Sequence, residues 1–457
     1  MHRALRRAAL ALTGLVLAAA TVTAVAVTGV TAAMTASFAA LPPDPPAAGW
    51  PAPRPVPPGP HRIAVLAGPD GSVVSDVLAP YEVFARSAGF AVFTVSTARV
   101  PVPLSGGLHL LPDYTVSELD RRPELAPDAV VVPAFVDPAA ASAAPLRDWL
   151  ARQAARGARI LGVCSGVEVL AAAGLLDGRT ATTHWSNLDR LRDSRPAVRW
   201  QAGRRYVDDG LFTTTAGVTS GVVGALHVMQ LLAGPAEAAR IGGQLHFPGW
   251  SPTSGTAIEA LRLRPGDLPY ALNAAFPLGR PTLAVGLVDG VGELDAAAPF
   301  ELYGGTANAA ALVALGTGRT VATAHGVTLV VGAAADTDAD ADRFLVPGVR
   351  DPAAVDPALA RWAQARDLRI ELPHAAQRPD EFSFDPVLRD LAAHTDRATA
   401  LAAARFVEYP TGHLALDGPA WPWRPTLLLA LTLALSTAAA LLPLLFSRLR
   451  RRPRPTP

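Results

Sequence analysis

Apolar positions along the chain fall into three kinds of pattern. Two segments stay apolar over a membrane's width. Residues 8–39 are uncharged and mostly Ala, Leu, Val and Thr, and residues 426–446 read TLLLALTLALSTAAALLPLLF. Each reaches the ~20 residues that one membrane helix requires. Between them, short wholly apolar runs alternate with amphipathic stretches. The runs are HRIAVLAG from His61, FAVFTVS from Phe90, DAVVVPAF from Asp128 and RILGVC from Arg159. The stretches are VLAPYEVFARSAG from Val77 and APLRDWLARQAARGA from Ala144. Strands apolar on both faces, each followed by a helix, predict an α/β fold whose parallel sheet is sandwiched by helices. The third pattern is PPDPPAAGWPAPRPVPPGP at 42–60, a stiff extended spacer with no core of its own.

Charge sharpens the reading of the two ends. Arg3, Arg6 and Arg7 precede the first apolar segment, and SRLRRRPRPTP follows the second. Arginines flanking a span favour the cytoplasmic side. The expectation is a protein of the cell membrane with both termini inside and the middle extracytoplasmic. Two alternatives stand beside it. Residues 8–39 also allow a signal peptide with TASFAA at its cleavage site, though its apolar core is long for that role, and both segments also allow buried core helices. The resulting division is a cytoplasmic end (1–7), an anchor or signal peptide (8–39), a linker (40–60), a first domain (61–250), a linker (251–280), a second domain (281–410), a transmembrane helix (426–446) and a basic tail (447–457).

The formal net charge of +1 conceals basic tails around a balanced or acidic middle, so there is no nucleic-acid footprint. The Ala-, Pro- and Arg-rich usage suggests a GC-rich bacterial genome. A single cysteine excludes an intrachain disulfide.

That cysteine, Cys164, ends the run RILGVC and precedes Ser165, Gly166 and a helical stretch, VEVLAAAG. A strand-to-helix corner holds a side chain above the sheet edge, facing amides and the positive end of the next helix. Such a setting lowers a thiol's pKa, and α/β-hydrolases hold serine on a similar corner. The alternative is a small buried core cysteine.

Four segments in order carry a resemblance: SDVLAPYEVF (Ser75–Phe84), SGGLHLLPDYT (Ser105–Thr115), VCSGVEVLAAAGLLDGRTATTHW (Val163–Trp185) and YVDDGLFTTTAGVTSGVVGALHVM (Tyr206–Met229). Together they resemble the ThiJ/PfpI superfamily, with its class I glutamine amidotransferase-like, flavodoxin-like fold. The similarity lies in the branch that holds isonitrile hydratase and the sensor domains of AraC-type regulators. It implies Cys164 as nucleophile, Asp76 as the acid bonded to it, and Ser165 in place of the family's threonine. His184 of TTHW is a further catalytic candidate, or it positions Trp185. Backbone amides at Cys164 and at Gly106 or Gly107 are candidates for holding developing negative charge. Glu168, one turn after Cys164, departs from the family pattern. No cofactor and no metal is expected: the histidines are scattered and no phosphate loop stands out.

A second copy follows. IAVLAGPDGSVVSDVLAPYEVF resembles LAVGLVDGVGELDAAAPFELY (Leu283–Tyr303), which sets Asp76 on Asp295 and Glu82 on Glu301. ARILGVC meets LRIELPH, which puts His374 near the nucleophile position, and the tails end at Pro248 and Pro410. The corner itself is missing. Such a degenerate copy provides an intrachain pseudo-dimer, the alternatives being a homodimer or an independent ligand-binding unit. Three functions fit: a cysteine-dependent hydratase or hydrolase of a small molecule, a ligand or redox sensor without a DNA-binding module, or an interaction platform.

Overall fold

The structure is a computed structural model and describes residues 2–41, 49–56, 59–376, 378 and 380–449. Positions 42–48 and 57–58 of the expected spacer, and 450–457 of the basic tail, lie outside the described residues.

The chain begins with α1 (His2–Ser37), 36 residues in one helix. At 1.5 Å per residue it is about 54 Å long, more than a bilayer's apolar thickness. Leu12, Leu15, Val16 and Leu17 are exposed, whereas Ala33 is buried and Ser37 accepts a hydrogen bond from the Gly106 amide at 2.7 Å. The segment 8–39 expected to be one span therefore ends by docking onto the globular body.

The first unit runs β1 (His61–Leu66), α2 (Val74–Ala85), β2 (Phe90–Ser96), β3 (Val102–Leu104), β4 (Leu108–Leu111), β5 (Tyr114–Thr115), α3 (Val116–Asp120), β6 (Ala129–Val132), α4 (Ala144–Ala155), β7 (Arg159–Gly162), α5 (Val167–Ala172), β8 (Thr180–Ala181), α6 (Leu188–Ser194), β9 (Arg199–Trp200), β10 (Tyr206–Asp209), β11 (Phe212–Thr215), α7 (Ser220–Ala233) and α8 (Pro235–Leu245). Seven strands form the main sheet in the order β10-β11-β7-β6-β1-β2-β5. All pairs are parallel except the hairpin β10–β11. Alternate residues of a strand serve opposite faces. Ile63 and Val65 join the core under α2, α7 and α8, while Ala64 and Leu66 join the core under α4 with Trp149.

The stretch 251–280, expected to be a linker, contains α9 (Leu268–Ala275). Its Asn273 donates to Thr399 Oγ1 at 3.2 Å and accepts from Arg424 at 3.2 Å. The "linker" is a packed brace.

The second unit follows as β12 (Thr282–Gly286), α10 (Glu293–Pro299), β13 (Ala311–Gly316), β14 (Thr320–Ala322), β15 (Thr328–Val330), β16 (Gly332–Ala333), β17 (Arg343–Leu345), α11 (Pro357–Gln364), β18 (Ile370–Glu371), α12 (Phe384–His394) and α13 (Arg397–Phe406). Its sheet is parallel throughout, in the order β16-β13-β12-β17-β18. In each unit the first strand is flanked by the second strand on one side and by the strand before the Trp149 or Trp362 helix on the other.

The two units share one interior. Strand β4 pairs antiparallel with β15, joining two hairpins into the sheet β14-β15-β4-β3. Helix α2 packs against α10 and the π-helical turn that follows it, with hydrogen bonds in both directions. Glu82 Oε2 accepts from the Leu294 amide at 2.6 Å, and Glu301 Oε2 accepts from the Ser75 amide at 3.4 Å. Gly106 (φ 82°) faces the π-helical turn Phe300–Thr306, where a Cβ would lie 2.4 Å from the Phe300 carbonyl oxygen. Phe247 and Tyr409 meet edge to face at 5.9 Å.

The chain closes with α14 (Trp423–Leu449). Leu12–Ser37 and Trp423–Leu441 are long and apolar enough to cross a membrane. They pack against each other, with Gly14 beside Ala440. Because α1 meets the body at its end and α14 at its start, the far ends of the pair lie on one side.

Candidate functional site at the Cys164 corner

Cys164 follows β7 and opens a short 3₁₀ turn into α5. Its φ is 54°, a left-handed conformation that side chains seldom adopt. Such strain persists only where the surroundings over-determine it, and here they do. The Cys164 amide donates to Thr215 Oγ1 at 3.3 Å, and its carbonyl accepts from Thr183 Oγ1 at 2.9 Å. Gly166 completes the turn: a Cβ there would lie 2.1 Å from the Val132 carbonyl oxygen.

Asp76 stands near the start of α2. Its Oδ2 accepts from the Ala134 amide at 3.1 Å, while its buried Oδ1 has no hydrogen-bond partner. Burial pushes this carboxyl well above its ordinary value, the Ala134 amide opposes the shift, and the charge of Glu301 adds to it. The Cys164 thiol is also raised well above its ordinary value, first by burial and then by Asp76. The Ser165 amide pulls the other way and does not prevail. The lowered thiol pKa expected from the helix start is thus overturned. Cys164 is only 5 % exposed, and desolvation outweighs the dipole of a six-residue helix.

The other expected residues are placed as follows. Ser165 Oγ accepts from Asn187 Nδ2 at 2.7 Å and lies 3.9 Å from the sulfur. His184 is buried and commits both ring nitrogens. Nε2 lies 2.9 Å from the Phe406 carbonyl oxygen, so it carries the proton, and Nδ1 accepts from Ser186 Oγ at 2.7 Å. Burial lowers its pKa to about 4. The Gly106 amide is already given to Ser37, which removes it as a donor to developing charge. Glu168 is held by Arg190 at 2.6 Å.

One residue at the corner escaped the sequence reading. Glu408 belongs to the second unit, yet its Oε2 accepts from the Gly217 amide at 2.6 Å and Ser220 Oγ at 3.2 Å. Its charge reaches the Cys164 thiol. Burial raises its own pKa to about 7, against these donors and Arg205. Thr219 Oγ1 donates to the Val407 carbonyl at 2.9 Å, so residues 407–408 clasp the start of α7. Glu408 (φ 57°) and His246 (φ 53°) are both left-handed, each two residues before the proline that ends its tail.

The profile of the DJ-1/PfpI family matches residues 61–231. Isonitrile hydratase of Pseudomonas putida is 34 % identical over 178 residues, 38 % of this chain and 72 % of that protein. An uncharacterized protein in the cpoL 5' region of Streptomyces lividans is 36 % identical over 144 residues, 30 % of this chain and 98 % of that one. The chain belongs to the DJ-1/PfpI family. A third relative, the HTH-type transcriptional regulator CdhR of Pseudomonas aeruginosa, is 31 % identical over 144 residues, 32 % of this chain and 41 % of the regulator.

The DJ-1/PfpI match ends before the second unit, which holds a buried pair of its own. His374 is fully buried with its Nε2 3.1 Å from Asp295 Oδ1, and its Nδ1 accepts from the Gly348 amide at 3.1 Å. Burial works against the Asp295 charge, but His374 and Ser383 more than offset it and hold the carboxyl below its ordinary value. Glu371, Asp390 and His394 also converge closely enough to ligate an ion, yet both carboxylates already hold Arg343.

Proposed function

We propose that the chain is a membrane-tethered cysteine hydratase or hydrolase of a small molecule, with Cys164 as nucleophile and Asp76 as proton carrier. The observation that carries this reading is the unpartnered Oδ1 of Asp76, buried beside a strained thiol. Burial raises both groups above their ordinary values, a pairing suited to adding S and H across a multiple bond. With an isonitrile, the substrate class in the Pseudomonas putida relative's name, the balance closes. Asp76 gives its proton to the terminal carbon, the sulfur bonds that carbon, and the thiol proton restores Asp76. Water then adds to the carbon–nitrogen double bond, giving nitrogen one proton. The carbon–sulfur bond breaks, the remaining hydroxyl proton returns to sulfur through Asp76, and an N-substituted formamide leaves.

Two parts of the proposal concern architecture. The second unit is a degenerate copy of the first, a reading supported by the shared strand order and the reciprocal Glu82 and Glu301 contacts. The globular units are extracytoplasmic, supported by two spanning-length helices with arginines at their far ends.

A ligand-sensing role is the second reading, favoured by similarity to the regulator CdhR. Burial of a protonated thiol argues against a peroxide sensor. The deciding experiment incubates the full chain in nanodiscs with small isonitriles and assays formamide. Turnover lost in Cys164→Ser and Asp76→Asn supports the enzyme. Saturable binding without turnover, unchanged in Cys164→Ser, sinks it and favours the sensor.

A further inference from the structure

A crevice of about 400 Å³ opens between the first unit, the 256–264 segment and the end of α13. Arg205, Arg264 and Arg405 line it together with Ile258, Leu261, Leu401 and the acidic Glu259. Arg405 is neutralised in part: Nη1 holds Asp267 at 2.7 Å and Nη2 donates to the Arg262 carbonyl, while its buried Nε has no partner. Arg205 is the less satisfied group. Its main chain is fixed by bonds to Thr256 and Ala216. Its guanidinium lies 5.6 Å over the Phe247 ring, and its buried Nη1 has no hydrogen-bond partner. Glu408 also lines the crevice; its carboxylate accepts from Gly217 and Ser220, and its charge acts on the Arg205 guanidinium without hydrogen-bonding Nη1. Burying a cationic N–H without an acceptor costs free energy that a bound anion would recover.

We propose that this crevice binds a small amphipathic carboxylate, its anionic head on the Arg205 Nη1 and Arg405 Nε edges and its short apolar chain along Ile258, Leu261 and Leu401. A guanidinium edge fits the planar carboxylate, and the aliphatic wall excludes a fully hydrated inorganic ion. The site adjoins the Cys164 corner through Glu408 and stands whether or not the chain is a hydratase.

The test is calorimetric titration of the full chain in nanodiscs with hexanoate, with hexanol and empty nanodiscs as references. Hexanoate is expected to saturate and hexanol to bind at least about tenfold more weakly, a factor that corresponds to one charge-assisted contact. Arg205→Met is expected to lose at least about tenfold in affinity, while Arg204→Met, a change to the adjacent exposed arginine, binds as the native chain does. Equal binding of hexanol, no saturation by hexanoate, or undiminished binding in Arg205→Met overturns the proposal. If Arg205→Met does not fold, Leu401→Trp decides. It fills the crevice from an exposed position, so loss of binding supports the site and retention overturns it.

Discussion

Replacing Glu408 by glutamine tests the join between the two units at the Cys164 corner. The carboxyl moves from an ordinary 4.5 to about 7 in the folded chain. Between those values the folded chain keeps a proton that the unfolded chain has released. Stability from this group is therefore full below pH 4.5 and is lost as pH rises through about 7. At about 1.4 kcal/mol per tenfold, the ceiling is about 3 kcal/mol. Glu408 retains some solvent contact, so about 1–2 kcal/mol is the expected size. Glutamine keeps an oxygen for the Gly217 amide and removes the titration. The assay is denaturant unfolding of the full chain in nanodiscs at pH 5 and pH 8, comparing native chain and variant. Asp76, Glu82, Asp113 and Glu301 are also raised by burial, but their contributions cancel in the difference. The native chain should lose about 1–2 kcal/mol more than Glu408→Gln between the two pH values. Identical losses would refute the reasoning and place Glu408 in solvent.

The reciprocal contact gives an asymmetric expectation. Glu82→Ala strands the buried Leu294 amide and should cost about 1–3 kcal/mol, whereas Glu301→Ala, whose bond to Ser75 is long at 3.4 Å, should cost less by the same unfolding assay. His374→Ala should destabilise the second unit by about 1–3 kcal/mol while leaving Cys164 alkylation unchanged, and altered alkylation would link the two corners. For topology, Ser251→Cys in a Cys164→Ser background should react with a membrane-impermeant maleimide on intact cells and Thr456→Cys should not. The opposite pattern would put the globular units inside.

The strand–helix alternation was legible because each core strand is apolar throughout and each helix carries its own period. The corner was legible for a local reason: Cys164, Ser165 and Gly166 stand together after RILGV and before a helix former. What failed was non-local. The helix start at Val167 suggested a low thiol pKa, but burial and the charges of Asp76 and Glu408 raise it, and no window around Cys164 contains those two residues. The Gly106 amide is taken by Ser37, 69 positions earlier. Glu408 meets Gly217 across 191 positions, and nothing in VEYP announces that contact. Helix α9 lies in the stretch read as a linker, yet Pro269 sits in its first turn, where the missing N–H costs nothing. Short edge strands such as Gly332–Ala333 carry no periodicity at all.

Because Cys164 is the only cysteine, its alkylation rate against pH reads the central pair directly in the full chain. The account predicts a native thiol that titrates above its ordinary 9.0 and moves down in Asp76→Asn, where the neighbouring charge is gone. A native thiol titrating at or below 9.0, unmoved by Asp76→Asn, would contradict the buried acid–thiol pair and the proposed chemistry that rests on it.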